Sequence, residues 1–192
     1  MAASWSAGPV APEAGDRLST LTVPRPSADE SIPYYHSYIG KVPGENLGQQ
    51  LTAQLDELER LFENVTDRAA LARYADGKWS VKEVVGHLSD AERIFSYRLM
   101  RIARGDGTPL PGFDENAYIP AGEFDRRPLR DILDELRAIR LSTAALMEGV
   151  PPESWARRGM ANGKPISARA LAYIIIGHMN HHMGTLRELY GL

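Results

Sequence analysis

Three of the five histidines in this 192-residue chain crowd into one apolar run, Ile174-Ile175-Ile176-Gly177-His178-Met179-Asn180-His181-His182-Met183. At 100° per residue, Leu171, Ile175, Leu186 and Leu189 mark the inward face of a helix. His182 falls inside that face and His178 at its edge, one turn earlier, while His181 lies to the other side. Burying two imidazoles in an apolar stripe costs free energy unless each finds a partner. A divalent metal ion is a partner that histidines at i and i+4 can share, because their ring nitrogens converge on one point. The plainer alternative is two core histidines with ordinary hydrogen bonds.

A second polar series runs along Val81–Ile102. Val81, Val84, Leu88, Ala91, Phe95, Leu99 and Ile102 form its core face, and His87 lies just beside that face. Glu83, Asp90, Ile94 and Arg98 fall in line with His87. The helix therefore carries an acid, a histidine, a second acid and an arginine along the edge of its buried face. Such a seam is commonly solvated; the histidine at its inner edge points to a site.

The totals bound what these groups can do. Formal net charge is −3, from 22 basic and 25 acidic side chains. That balance argues against a nucleic-acid binder held by phosphate contacts. There is no cysteine, so a transition-metal site must be built from His, Asp or Glu. Nothing in residues 1–15 has the basic start and apolar run of a signal peptide. No stretch reaches the ~18 apolar residues of a membrane span. A soluble, cytoplasmic protein is expected.

The elements that must position the histidines follow from periodicity. Residues 1–28, rich in Ala, Ser and Pro, read as an N-terminal arm, and 29–192 as one domain. Residues 31–42 are aromatic and bounded by proline, and read as an extended lead-in. Its Tyr34, Tyr35, His36 and Tyr38 either cover a pocket mouth, with Tyr35 a candidate substrate contact, or staple the lead-in to the domain. Leucines at three- and four-residue steps predict a first helix over about 45–64. Thr66 caps a short helical turn over 67–74. Ser80 and Glu83 form a capping box that opens a second helix, 80–103. Residues 104–125 show no period and read as a functional loop or lid. A third helix is predicted over 129–147. A glycine-containing loop around Trp155 follows, and then a fourth helix over 167–190, capped by Ser167. Four main helices, no convincing strand and two long connections predict an all-α four-helix bundle, up-down-down-up.

One histidine from the second helix and two from the fourth resemble the DinB superfamily and, within it, the YfiT-like branch of metal-dependent hydrolases. The residues that carry the resemblance are Lys78-Trp79-Ser80-Val81-Lys82-Glu83-Val84-Val85-Gly86-His87-Leu88-Ser89-Asp90, Phe113-Asp114, and Gly177-His178 with His181-His182. Tyr34-Tyr35 and Val42-Pro43-Gly44 are also similar to this branch. Many members carry a Gly-Gln pair shortly after the last histidine, where this chain has Gly184-Thr185. The resemblance implies a four-helix bundle holding nickel, zinc or a like divalent ion through His87, His178 and His182, and it points to a homodimer. Members of known activity include low-molecular-weight thiol S-transferases and a thiol-dependent isomerase.

Two functions of different class are consistent with this pattern. In the first, a three-histidine metal lowers the pKa of a bound thiol or water and supplies a nucleophile near neutral pH. Arg98 then holds a carboxylate of a small thiol cosubstrate, and Asp90 or Glu83 orients His87 or accepts a proton. A metal-dependent hydrolase is the variant that uses water. In the second, the protein is a non-catalytic metal-binding or stress-response module. A cavity at an open coordination position separates the two.

Overall fold

The computed structural model describes residues 20–192. Its six α-helices are α1 (Pro33–Ile39), α2 (Leu47–Phe62), α3 (Val81–Ala103), α4 (Glu115–Gly122), α5 (Leu129–Glu148) and α6 (Ala168–Tyr190). The four long ones, α2, α3, α5 and α6, make the bundle. Around it the order is α2, α5, α3, α6: α3 packs on α5 and α6, and α2 on the same two. Chain-consecutive α2 and α3 thus stand at diagonal corners, as do α5 and α6. Diagonal neighbours need long connections, which the chain supplies.

Local chemistry sets the helix ends. Asn46 caps α2 by accepting the Gln49 N–H at 2.9 Å. The capping box at α3 is complete: Ser80 Oγ accepts the Glu83 N–H at 3.0 Å, and the Glu83 carboxylate accepts the Ser80 N–H at 2.7 Å. Ser167 caps α6 through the Ala170 N–H, and Gly191 ends it in the left-handed conformation. Thr66 Oγ1 accepts the Ala69 N–H, but the helical turn it caps covers only Ala69–Leu71.

Three segments depart from the sequence expectation. The lead-in at 31–42 is not extended: Pro33–Ile39 is a two-turn helix. Pro33 occupies its first turn, where a missing N–H costs nothing and the fixed φ favours entry. Tyr34 and Tyr38, one turn apart, meet edge to face with ring centroids 5.8 Å apart. Within the aperiodic connection, Asp114 caps a second short helix, α4, by accepting the Asn116 N–H at 3.0 Å. The loop after Trp155 is an antiparallel hairpin of β1 (Arg158–Ala161) and β2 (Lys164–Ser167). Its two-residue turn, Asn162-Gly163, has φ of 51° and 68°, the positive values a tight hairpin turn requires. Leu110 joins the hairpin edge, donating to Met160 O and accepting from the Asn162 N–H, and so pins the start of the long connection.

The core divides in two along the bundle axis. One cluster takes Ala91, Phe95 and Leu99 of α3 with Leu171–Ile176 of α6; the other takes Val81, Val84, Val85 and Leu88 with Met179, Met183 and Leu186. His87 and His178 stand at the junction. Residues 1–19 of the expected arm lie outside the described residues. Residues 20–28 pack on their own chain: Val23 is buried and donates its N–H to Glu45 O, and Arg25 donates to Ile39 O and Val42 O. Among the described residues, no helix is long and apolar enough to cross a membrane.

Candidate metal centre

His87 comes from the middle of α3, and His178 and His182 from successive turns of α6. Both helices bring a glycine to the position just before a histidine. A Cβ at Gly177 would lie 2.0 Å from the Tyr38 carbonyl oxygen, and one at Gly86 would lie 2.4 Å from the Phe124 ring. These glycines let α1 and the segment after α4 cross directly over the backbone that carries the histidines. Tyr38 is thereby brought edge to face with His178, ring centroids 5.4 Å apart. Trp79 covers His87 at 4.8 Å.

The three rings point their Nε2 atoms at one another. His87 Nε2 and His182 Nε2 each lie 3.1 Å from His178 Nε2, and all three ligand atoms fall within 4.8 Å of one another. Hydrogen bonding alone cannot satisfy this arrangement. An imidazole nitrogen offers either one proton or one lone pair, so the single Nε2 of His178 can make one good N–H···N bond and leave the other contact unpaired. A divalent ion accepts a lone pair from all three. Metal–nitrogen bonds of about 2.0–2.1 Å in tetrahedral geometry separate ligand nitrogens by about 3.3–3.4 Å, close to the spacing found.

Protonation favours the same reading. Burial, followed by the neighbouring charge of His181, pulls His87 down to about 4. Burial, then His87 and His181, pull His182 down to about 3. His178, the deepest, is held well below its ordinary value by burial, then by the other histidines and Arg140. All three are neutral at pH 7, the form that donates to a metal. His181 lies outside this group; its ring stacks edgewise on Tyr38 and His182.

The cluster forms the floor of a cavity of about 510 Å³, walled by Tyr34, Tyr35, Tyr38, Trp79, Phe95 and Phe113, with Arg98, Glu115 and Asn162 as its polar members outside the histidines. A groove of about 630 Å³ runs between α2 and α5. It has no histidine in its lining and no convergent donor set, so the chemistry belongs to the histidine cavity.

A family model described as the DinB superfamily matches residues 50–186. The chain belongs to the DinB superfamily. The DinB bundle of this chain is similar to YfiT from Bacillus subtilis, a probable metal-dependent hydrolase with an unusual four-helix bundle topology. The likeness has a TM-score of 0.66 at 21% identity and covers 90% of this chain and 95% of that one. It is also similar to a mycothiol-dependent maleylpyruvate isomerase, at TM-score 0.58 and 13% identity, over 75% of this chain and 61% of the other. At these identities the likeness concerns the fold. No curated protein matches the chain.

Within this DinB site the polar seam of α3 is split among three neighbourhoods. Arg98 and Tyr35 both line the cavity. Glu83 and Asp90, expected as acid–base or orienting groups, do not. The Glu83 carboxylate closes the helix cap and pairs with Arg73. Asp90 faces α5, 3.8 Å from Arg93, where burial raises its pKa, tempered by the Arg93 charge and reinforced by Glu135. A shared helical angle does not carry a seam into one cavity when its first residue is at the cap and another sits under the adjoining helix. Sequence reasoning also passed over Glu115 and Asn162. Glu115 adjoins the Phe113-Asp114 pair in the DinB resemblance, and Asn162-Gly163 is itself a hairpin signal.

Proposed function

We propose that this protein is a divalent-metal-dependent enzyme that transfers a small thiol to an electrophile, with His87, His178 and His182 as metal ligands and Arg98 as the anchor for the thiol's acid group. One observation carries the reading: three neutral imidazole nitrogens converge on the floor of a cavity whose wall contains a buried arginine with no carboxylate partner. Arg98 is 3% exposed. It donates to Pro111 O at 2.6 Å and lies over the Phe113 ring, 5.7 Å from its centroid. Among the described residues no carboxylate pairs with it. A buried charge without a counterion is costly, and an anionic ligand supplies the missing charge.

Held by His87, His178 and His182, a divalent ion would lower the pKa of a bound thiol or water and so supply a nucleophile near neutral pH. The chain's own groups do the rest. Arg98 fixes the carboxylate by charge-assisted hydrogen bonds, which sets the direction of the sulfur. The aromatic wall keeps water from competing for the electrophile. A carbon–sulfur bond forms as the leaving group departs with its electron pair, and the thiol proton passes to solvent. The cavity favours this enzyme over a closed, non-catalytic metal site. The structural neighbour that acts with mycothiol supports thiol over water as the cosubstrate. Nickel and zinc both suit three imidazoles.

The test is metal analysis of the purified protein followed by a panel of small thiols against one reactive electrophile. The wild type is expected to hold about one equivalent of divalent metal and His178→Ala close to none, with thiol-dependent conjugation lost alongside. Equal conjugation rates for the wild type and a metal-free His178→Ala would end the proposal.

A further inference from the structure

Glu115 is the cavity's one carboxylate among the lining residues. As the first residue of α4 it sits where the helix dipole favours an acid, but that preference says nothing about the direction of the carboxylate. Here the residue lines the same cavity as the three histidines. It makes no hydrogen bond or ion pair among the described residues, in a protein where many surface acids are taken up by arginines. Arg98, in the same wall, also lacks a partner of opposite charge. The two do not pair with each other. Tyr35 lies between their influences: burial raises its pKa, Arg98 opposes the rise and Glu115 adds to it. Two opposite charges share a cavity of about 510 Å³, face a common tyrosine and remain apart.

We infer that Arg98 and Glu115 form a charge-divided recognition site for a zwitterionic thiol, with the carboxylate of the ligand at Arg98 and a free primary ammonium at Glu115. A ligand with both charges completes both groups at once. A thiol with an acid and no amine completes one and brings a second negative charge toward Glu115. The inference rests on the thiol reading above and adds the chemical class of thiol and Glu115 as a residue that determines it.

Cysteine and 3-mercaptopropionate make the test, since they share thiol and carboxylate and differ by the amine. Each is titrated into protein loaded with cobalt(II), and the sulfur-to-metal absorption band reports thiolate binding without turnover. The wild type is expected to prefer cysteine by about fivefold, between the screened value of an exposed ion pair and the larger value of a buried charged hydrogen bond. In Glu115→Gln the ratio should fall severalfold, chiefly through weaker cysteine binding, and Glu115→Asp should restore part of it. Cysteine's amine can also chelate the metal and raise its affinity whatever residue stands at position 115, so the change in the ratio between proteins, not its absolute value, is the reading. An unchanged ratio in Glu115→Gln would overturn the inference. Equal weakening of both thiols would also overturn it, because Glu115 would then act on the fold or on the thiol itself. No sulfur band with either thiol in metal-loaded wild type would remove the thiol reading, and this inference with it.

Discussion

Arg98 is the residue at which binding and metal loading separate most cleanly. The residue is 3% exposed, and its partners, Pro111 O, the Tyr35 side chain and the faces of Phe95 and Phe113, include no carboxylate. Replacing it with alanine removes no ligand of the candidate metal and no ion pair of the fold. Arg98→Ala should therefore keep the metal content of the wild type. It should weaken binding of a carboxylate-bearing thiol by about 1.5–3 kcal/mol, the range for a hydrogen bond to a charged group. Titration of the thiol into metal-loaded protein checks this; undiminished affinity would remove the arginine from the site. Arg98→Lys should recover only part of the loss, since an ammonium is a point donor without the paired fork. His178 and His182 were legible from the sequence because two imidazoles one turn apart on an apolar face have few other uses. The Glu83 carboxylate serves a helix cap and Arg73 together, and nothing in its spacing tells those partners from a substrate.

At the scale of elements, length decided what could be read. The four bundle helices span four or more turns each, so the period of their apolar residues and the caps at Ser80 and Ser167 agree. Two-turn helices such as α1 and α4 are too short to show a period, and Pro33 reads equally as a breaker or as a first-turn residue. What holds α1 in place is tertiary: its backbone rests on Gly177, one residue before His178. Gly177→Ala must push α1 off α6, because a methyl group there meets a carbonyl oxygen, not a side chain that can swing away. A cost of about 1–3 kcal/mol is expected, as for other overpacked contacts, seen as a lower urea midpoint with the far-ultraviolet helix signal retained. The strap before α1 gives a pH test. Burial raises the pKa of Glu30, but hydrogen bonds from Arg169, Ser167 and Ser27 outweigh it and carry it from 4.5 to about 2. A depressed carboxylate pKa contributes stability that is complete above the unfolded value of 4.5 and is lost as pH falls through the folded one. Glu30→Gln should thus be less stable than wild type by about 1–3 kcal/mol at pH 7. The gap should narrow between about pH 4.5 and 2, measured by paired denaturant titrations; a gap independent of pH would refute the assignment.

Across the whole molecule, one buried polar network ties the four bundle helices together at the level of the histidines. Arg140 of α5, 1% exposed, pairs with Glu92 of α3, 4% exposed, at 2.7 Å. It also donates to Gln54 Oε1 of α2 at 3.0 Å. The Gln54 amide in turn donates to Ile176 O and Asn180 Oδ1 of α6 at 2.8 and 2.6 Å, and Asn180 donates to Lys41 O beyond α1. The apolar clusters on either side specify burial but little register, since leucine and isoleucine tolerate sliding by small steps. Desolvating this pair offsets much of its Coulomb gain, so its net contribution to stability is small while the loss of one partner is severe. Arg140→Met is expected to cost about 3–5 kcal/mol by leaving Glu92 buried and unpaired. The double variant Glu92→Met/Arg140→Met should regain most of that loss, and a double-mutant cycle measures the coupling. If the network also sets the register of α3 against α6, the double variant should fold stably yet bind the metal more weakly. His87 and His178 lie on those two helices and must meet within a few tenths of an ångström to share one ion. Calorimetric titration of zinc into both proteins reads this, and equal zinc affinity in a stable double variant would show that apolar packing alone aligns the histidines.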